Sequence, residues 1–167
     1  DVYKRQGQAG IIYCSTRKQV EELHEALNSE KIKSTIYHAG LTNKERIEAQ
    51  NDFLYDRVEV VIATNAFGMG IDKSNVRYVL HYQMPRNMES YYQEAGRAGR
   101  DGAPAECILL YSGQDVQVHK YLIEQSIETP ERQNVELRKL QFMIDYCFCS
   151  NCLRKYMLNY FGESTVW

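Results

Sequence analysis

Short apolar runs alternate, over the first two-thirds of the chain, with segments whose apolar residues recur at helical spacing. Gly10–Cys14 (Gly-Ile-Ile-Tyr-Cys) has the character of a strand buried on both faces. Lys33–Tyr37, Val58–Ala63, Val76–Tyr82 and Ala105–Tyr111 are further strand candidates. Between the first two runs, Val20, Leu23 and Leu27 fall on one helical face, with Ser15 or Thr16 available as cap and Asn28-Ser29 at the end. Thr42 and Glu45 have the spacing of a capping box, ahead of a helix carrying Ile47, Phe53 and Leu54. A helix over Met88–Ala95 separates the last two strands. Alternating strands and helices predict an α/β fold: a parallel sheet flanked by helices with right-handed crossovers.

After Ser112 the pattern changes. Thr129-Pro130-Glu131 combines a capping residue, a proline at the first helical position and an early acid, so a long helix is expected from there to about Tyr146. A break and a shorter helix over Asn151–Tyr160 complete a C-terminal helical appendage. The expected division is therefore a sheet domain over residues 1–127 and the appendage over 128–167. The first six residues fit no pattern, and both ends lead us to expect a piece of something longer.

Composition narrows the function classes. With 167 residues and 44% hydrophobic side chains, the chain can bury a substantial core. A net charge of −2 removes any general attraction to polyanions, so contacts with them must come from locally arranged groups. No apolar run has the length of a membrane span and no export signal is found, so no membrane partner and a cytoplasmic location are expected. Cys14 and Cys107 lie in apolar runs and are expected to be inert core thiols. Cys147, Cys149 and Cys152 cluster, which in a reducing setting favours metal binding over disulfides.

In parallel sheets, ligands bind at the C-terminal ends of the strands. The expected loops at that edge are Cys14–Arg17, His38–Thr42, Thr64–Lys73, Gln83–Asn87 and the glycine- and arginine-rich segment Gly96–Gly102. In that segment Arg97 and Arg100 each follow a glycine. Glycine lets the backbone come close to a ligand, and arginine offers a planar fork of donors that suits phosphate oxygens. A glycine-rich turn with solvated arginines is the plainer alternative. Thr64–Asp72 reads either as an ordinary loop or as one whose amides hold phosphate while Asp72 accepts a ribose hydroxyl. It lacks the third glycine of a dinucleotide fingerprint, because Lys73 stands there. His38 and His81 are either satisfied structural histidines or, with Ser15 and Asn65, a polar row facing a sugar-phosphate backbone. No phosphate-loop motif and no acidic pair after a strand occurs, so the chain has arginines for a phosphate without the means to hydrolyse a nucleotide alone.

Gln93–Gly102 (Gln-Glu-Ala-Gly-Arg-Ala-Gly-Arg-Asp-Gly) resembles motif VI of superfamily-two helicases. With Ala66–Lys73 (Ala-Phe-Gly-Met-Gly-Ile-Asp-Lys), Tyr91-Tyr92, Ile11–Cys14 and Tyr37–Leu41, it resembles the RecQ family specifically, over residues 10–163. The resemblance implies the second RecA-like lobe of an ATP-dependent 3′–5′ DNA helicase, with ATP and Mg²⁺ shared with an N-terminal lobe absent from this chain. It implies Arg97 and Arg100 as catalytic groups at the γ-phosphate, one of them an arginine finger that spacing does not single out. Gly70, Asp72 and Gln93 would join them around the nucleotide. Ser15, His38, Thr64, Asn65, Met69 and His81 would line a path for single-stranded DNA, with duplex DNA as the other partner.

Cys152–Glu163 resembles the start of the RecQ zinc module, which implies Zn²⁺ in the longer protein and Cys152 as one ligand of a site incomplete here. Cys147-x-Cys149-x-x-Cys152 is not a usual four-ligand spacing, so residues 147–167 are expected to be loosely held. Two rival functions remain: a non-catalytic module that binds nucleic acid or protein, and an α/β nucleotide-binding protein unrelated to helicases.

Overall fold

The computed structural model describes residues 2–64, 67 and 71–163, the side chains of Val2 and Tyr3 excepted. It divides into two units: one of residues 1–83 and 92–110, the other of residues 84–91 and 111–167.

The first unit holds a parallel sheet of five strands in the order β2-β3-β1-β4-β5: β1 Gly10–Tyr13, β2 Ser34–Tyr37, β3 Val60–Ala63, β4 Tyr78–His81 and β5 Glu106–Leu109. All five lie inside the expected runs, shortened at the ends where the chain turns. Helix α1 (Arg17–Ser29) is capped by Thr16, which accepts from the Gln19 amide. Helix α2 (Asn43–Leu54) carries both arms of the capping box between Thr42 and Glu45. The buried residues of α2 are Ala49 and Phe53, whereas Ile47 and Leu54 face outward. Helix α3 (Met88–Ala95) starts where the Asn87 side chain accepts from the Ser90 amide at 2.8 Å. Before β1, residues Val2–Arg5 form a 3₁₀ turn whose Arg5 pairs with Glu106 of β5.

Strand alternation sorts the core into two layers. Ile12, Cys14, Val60, Ile62, Tyr78 and Leu80 pack with Val20 and Leu27 of α1 on one face. Ile11, Tyr13, Tyr37, Val61, Ala63 and Val79 pack with Ala49 and Phe53 of α2 on the other, joined by Phe67 and Val76 from the β3–β4 connection. Cys14 is buried, as expected, and burial pushes its thiol up to about 12. Cys107 is not a core residue: β5 closes the sheet at its edge and leaves Cys107 exposed, its thiol donating to the Ala95 carbonyl at 3.5 Å.

The second unit is helical. Helix α4 (Gly113–Ser126) was not expected. Only Val116 and Ile123 are buried on it, while Val118, Tyr121 and Leu122 are exposed, and this outward apolar set blurs the period that would announce a helix. It packs on α5 (Pro130–Cys147), so the boundary expected after residue 127 falls inside this unit. Pro130 opens α5 as anticipated, but Thr129 makes no side-chain capping bond. Helix α6 (Leu153–Tyr160) buries no residue and is tied down by hydrogen bonds from Tyr156 to the Phe142 carbonyl and from Tyr160 to Glu89. No described helix is long and apolar enough to cross a membrane.

Candidate functional site

Strand register brings Tyr37, Ala63, Tyr13, His81 and Leu109 into one row at the C-terminal edge of the sheet. Ser15, His38 and Thr64 follow directly and so share that edge. Ser15 is exposed, and its amide donates to Gln83 Oε1 at 2.9 Å. Thr64 is half-buried, its amide bonded to the Tyr37 carbonyl. His38 is only 4% exposed; its Nδ1 accepts from the Gly40 amide at 3.1 Å, and its Nε2 faces Glu21 at 3.6 Å. Asn65, Met69 and Gly70 lie outside the described residues.

His81 does not belong with the polar row. Alternation turns it toward α3, where it is 1% exposed and its Nε2 lies 2.6 Å from the Glu94 carboxylate. Its ring stacks on Tyr13, with centroids 5.2 Å apart. A side chain so enclosed offers a passing strand no surface, and its place is in the packing beneath the edge.

The Gly96–Gly102 segment also differs from expectation. It leads from α3 to the N-terminal end of β5, because a helix that returns the chain must deliver it to the start of the next parallel strand. The Gly99 and Asp101 amides bond to Val76 and Ser74, both ahead of β4. Gly99 has φ +64°, and a Cβ there would meet the Ala103 carbonyl at 3.0 Å, so the bend requires glycine. Arg77 fastens the far side of the bend: it donates to Asp101 at 2.6 Å and to the Pro104 carbonyl, and holds the Asp101 carboxyl below the usual carboxylate range.

The two arginines of this bend differ in their settings. Arg97 is half-buried, its Nε enclosed without a hydrogen-bond partner among the described residues. Arg100 is more open: its Nε donates to the Gly96 carbonyl, and its Nη1 lies 3.6 Å from Asp72, an almost fully exposed carboxylate. Burial pushes the Tyr13 phenol well above its ordinary range, while Arg97 and, further down the order, Arg100 pull the other way. Both positive charges thus act on the tyrosine that ends β1. Gln93 is exposed on the last turn of α3.

Lys73 has a structural place. It is 5% exposed, lies over the Phe53 ring and pairs with Asp56 at 2.7 Å, which pins the end of the β3–β4 connection to the end of α2. Sequence reasoning singled out neither this pair nor the Tyr13–His81–Glu94 stack. Period-two alternation, which puts Tyr13 and His81 on one face, is the signal that could have found the stack.

An exposed cation and an exposed carboxylate side by side, Arg100 and Asp72, fit a group with both phosphate and hydroxyls. No group of three His, Cys, Asp or Glu side chains that could hold a metal ion occurs among the described residues. Cys147 and Cys149 are half-buried, Cys152 is exposed at the start of α6, and burial pushes the Cys147 thiol up to about 11. These residues do not fit a complete zinc site.

Comparison with known proteins agrees with this layout. The helicase conserved C-terminal domain family matches residues 2–102, and the RecQ zinc-binding family matches residues 113–166. The ATP-dependent DNA helicase RecQ of Bacillus subtilis is 52% identical over 97% of this chain and 27% of its own length. That of Pasteurella multocida is 48% identical over 97% of this chain and 26% of its own. The chain thus spans about a quarter of the length of these curated relatives. The crystal structure of a DEAD box protein from the hyperthermophile Methanococcus jannaschii superposes with a TM-score of 0.62 at 26% identity, covering 74% of this chain and 34% of that one. The parallel sheet flanked by helices is accordingly the RecA-like fold. The chain belongs to the helicase conserved C-terminal domain family, as a RecQ-type lobe followed by a RecQ zinc-binding segment.

Proposed function

We propose that this chain is the C-terminal motor lobe of an ATP-dependent 3′–5′ DNA helicase. The observation that carries the reading is the Arg100–Asp72 pair at 3.6 Å, on the glycine-rich bend that also carries Arg97. In this reading Asp72 accepts hydrogen bonds from ribose hydroxyls, Arg97 and Arg100 hold phosphate oxygens, and Gly70 and Gln93 border the nucleotide. When bound, ATP with its Mg²⁺ supplies the phosphoryl group whose transfer drives the motor. The arginine that faces the transferring group stabilises its developing charge, a contribution of about 10³–10⁵ in rate in other phosphoryl-transfer enzymes. Holding Mg²⁺ falls to the N-terminal lobe, since no carboxylate cluster is present among the described residues.

Ser15, Thr64, Asn65 and Met69 line the path of single-stranded DNA in this reading, with His38 shaping the edge through Gly40 rather than presenting surface. Cys152 contributes one ligand to a zinc site completed by residues outside those described. Duplex DNA is the substrate of the whole motor.

The test is reconstitution. The chain alone has no ATPase, and turnover by it would overturn the assignment. Adding the N-terminal lobe restores DNA-stimulated hydrolysis, and Arg100→Ala abolishes it. Failure to restore hydrolysis, with DNA binding retained, would favour a non-catalytic binding module.

A further inference from the structure

Arg77 stands one residue ahead of β4, and its main chain is fixed from both sides. Its amide donates to the Ala9 carbonyl at 2.7 Å, and its carbonyl accepts from the Glu106 amide at 3.0 Å. From that base the side chain reaches the bend that follows α3. Nη2 donates to the Asp101 carboxylate at 2.6 Å, Nη1 to the Pro104 carbonyl at 3.2 Å and Nε to the Asn75 carbonyl at 3.1 Å. A guanidinium is a rigid planar fork, so bonds from all its nitrogens fix its plane as well as its position. The Arg77 and Asp101 side chains are 19% and 31% exposed, which spares the pair much of the screening that weakens surface ion pairs. Asp101 also accepts from the Ala103 amide at 3.0 Å, so the carboxylate joins the arginine to the far limb of the bend. Backbone bonds run alongside, from the Gly99 amide to the Val76 carbonyl at 2.9 Å and from the Asp101 amide to the Ser74 carbonyl at 3.2 Å. The segment Ser74–Arg77 is therefore a template on which the bend is laid, and Asp72 lies just before it on the same connection. The donors of Arg77 are taken up by the protein, so its charge organises the bend rather than a ligand.

We infer that Arg77 is a positioning residue: its guanidinium locks the bend bearing Arg97 and Arg100 onto the segment that follows Asp72, holding the phosphate-seeking arginines and the ribose-seeking carboxylate on one preformed frame. The role in turnover rests on the proposed function; the lock itself does not. Preformed placement matters most where charge develops in the transition state, because a displaced donor still binds the ground state yet stabilises that charge less. The signature is a fall in kcat with the KM for ATP little changed.

Arg77→Met, Asp101→Ala and the double variant test it in two settings. In the 167-residue chain, with the β1 and β3 amides as the control for an intact sheet, each single variant is expected to shift the Gly99 and Gly102 amide resonances. In Arg77→Met the Asp101 carboxyl is expected to titrate at higher pH than in the parent, because the arginine is the main cause that holds it down. Unmoved bend resonances or an unmoved Asp101 titration overturns the lock. In an assembly with the N-terminal lobe, either single variant is expected to lower kcat for DNA-stimulated ATP hydrolysis by about tenfold or more, with KM within about twofold, since a small misplacement can cost about 10²-fold. The double variant is expected to lose little more than the larger single loss, because both changes break one interaction. A parent-level kcat, a loss confined to KM, or losses that add overturns the positioning role. If Arg77→Met disturbs the control amides, Asp101→Ala decides. An assembly whose parent form shows no DNA-stimulated ATPase counts against the proposed function instead, and the resonances and titration then decide the lock alone.

Discussion

Glu94 and His81 form a buried pair, carboxylate to Nε2 at 2.6 Å, that ties the last turn of α3 to the end of β4. The bend that aims Arg97 and Arg100 starts two residues later, so the pair fixes where that bend begins. Breaking a buried polar pair from one side leaves the other group unsatisfied and costs about 3–5 kcal/mol in comparable cases. Glu94→Ala is therefore expected to destabilise the chain by an amount of that order in urea unfolding, and Glu94→Gln, which can still hydrogen-bond, by clearly less. Equal losses in the two variants would contradict a pair that works through its hydrogen bond.

Gly10 is required by Tyr78. The two face each other across β1 and β4, and a Cβ on Gly10 would overlap the phenol ring. Overpacking of this kind costs about 1–3 kcal/mol or more. Gly10→Ala is expected to lower the stability measured by urea unfolding by that amount, and Gly10→Ala with Tyr78→Leu to recover part of it. A single alanine variant as stable as the parent would refute the close approach.

Tyr78 also predicts its own improvement. Its hydroxyl is buried with no hydrogen-bond partner, and burial pushes the phenol up to about 12. An unsatisfied buried hydroxyl costs about 1–3 kcal/mol, so Tyr78→Phe is expected to leave stability unchanged or raise it. The pH dependence follows the same group. Tyr78, Cys14 and Cys147 keep their protons more tightly when folded than when unfolded. Their contribution is complete below about pH 9 and is lost as pH rises from there through about 11 to 12. His24 runs the other way: burial lowers its pKa, so its contribution is present above about 6.5 and is lost as pH falls. Urea midpoints across this range are the measurement, with Tyr78→Phe flattening the alkaline limb.

Lys73 and Asp56 are unequal partners. Lys73 is buried, whereas the Asp56 side chain is 66% exposed. Losing the carboxylate strands a buried ammonium; losing the ammonium strands only a solvated carboxylate. Asp56→Asn, which keeps a residue suited to the φ of +57° there, is expected to destabilise more than Lys73→Met, which keeps the buried stem. The reverse order would show that the ammonium matters through partners other than Asp56, such as the Leu54 carbonyl to which it donates at 3.5 Å.

Helix α6 buries no residue, and the zinc ligand expected of Cys152 has no companions among the described residues. Amides of residues 153–160 are expected to exchange with deuterium faster than those of β1, β3 and β4. Protection there equal to that of the sheet would refute the loose attachment.

Much of this fold is legible in the order of residues. Apolar runs such as Gly10–Cys14 announce buried strands because a parallel strand meets side chains on both faces, and Thr42 with Glu45 announces a helix because capping is local chemistry. The phosphate-seeking character of Arg97 and Arg100 is legible for the same reason: glycine and arginine act through their own backbone freedom and charge. Helix α4 was not legible, because its outward Val118, Tyr121 and Leu122 carry no period relative to a core that exists only once the chain has folded. Nor was the burial of His81 by Glu94, the hydrogen bond from Tyr13 to the Phe67 carbonyl, or the anchoring of Lys73 on Asp56. Each of these joins residues distant in sequence, and its strength comes from water excluded by strands and helices that neighbour one another only in three dimensions.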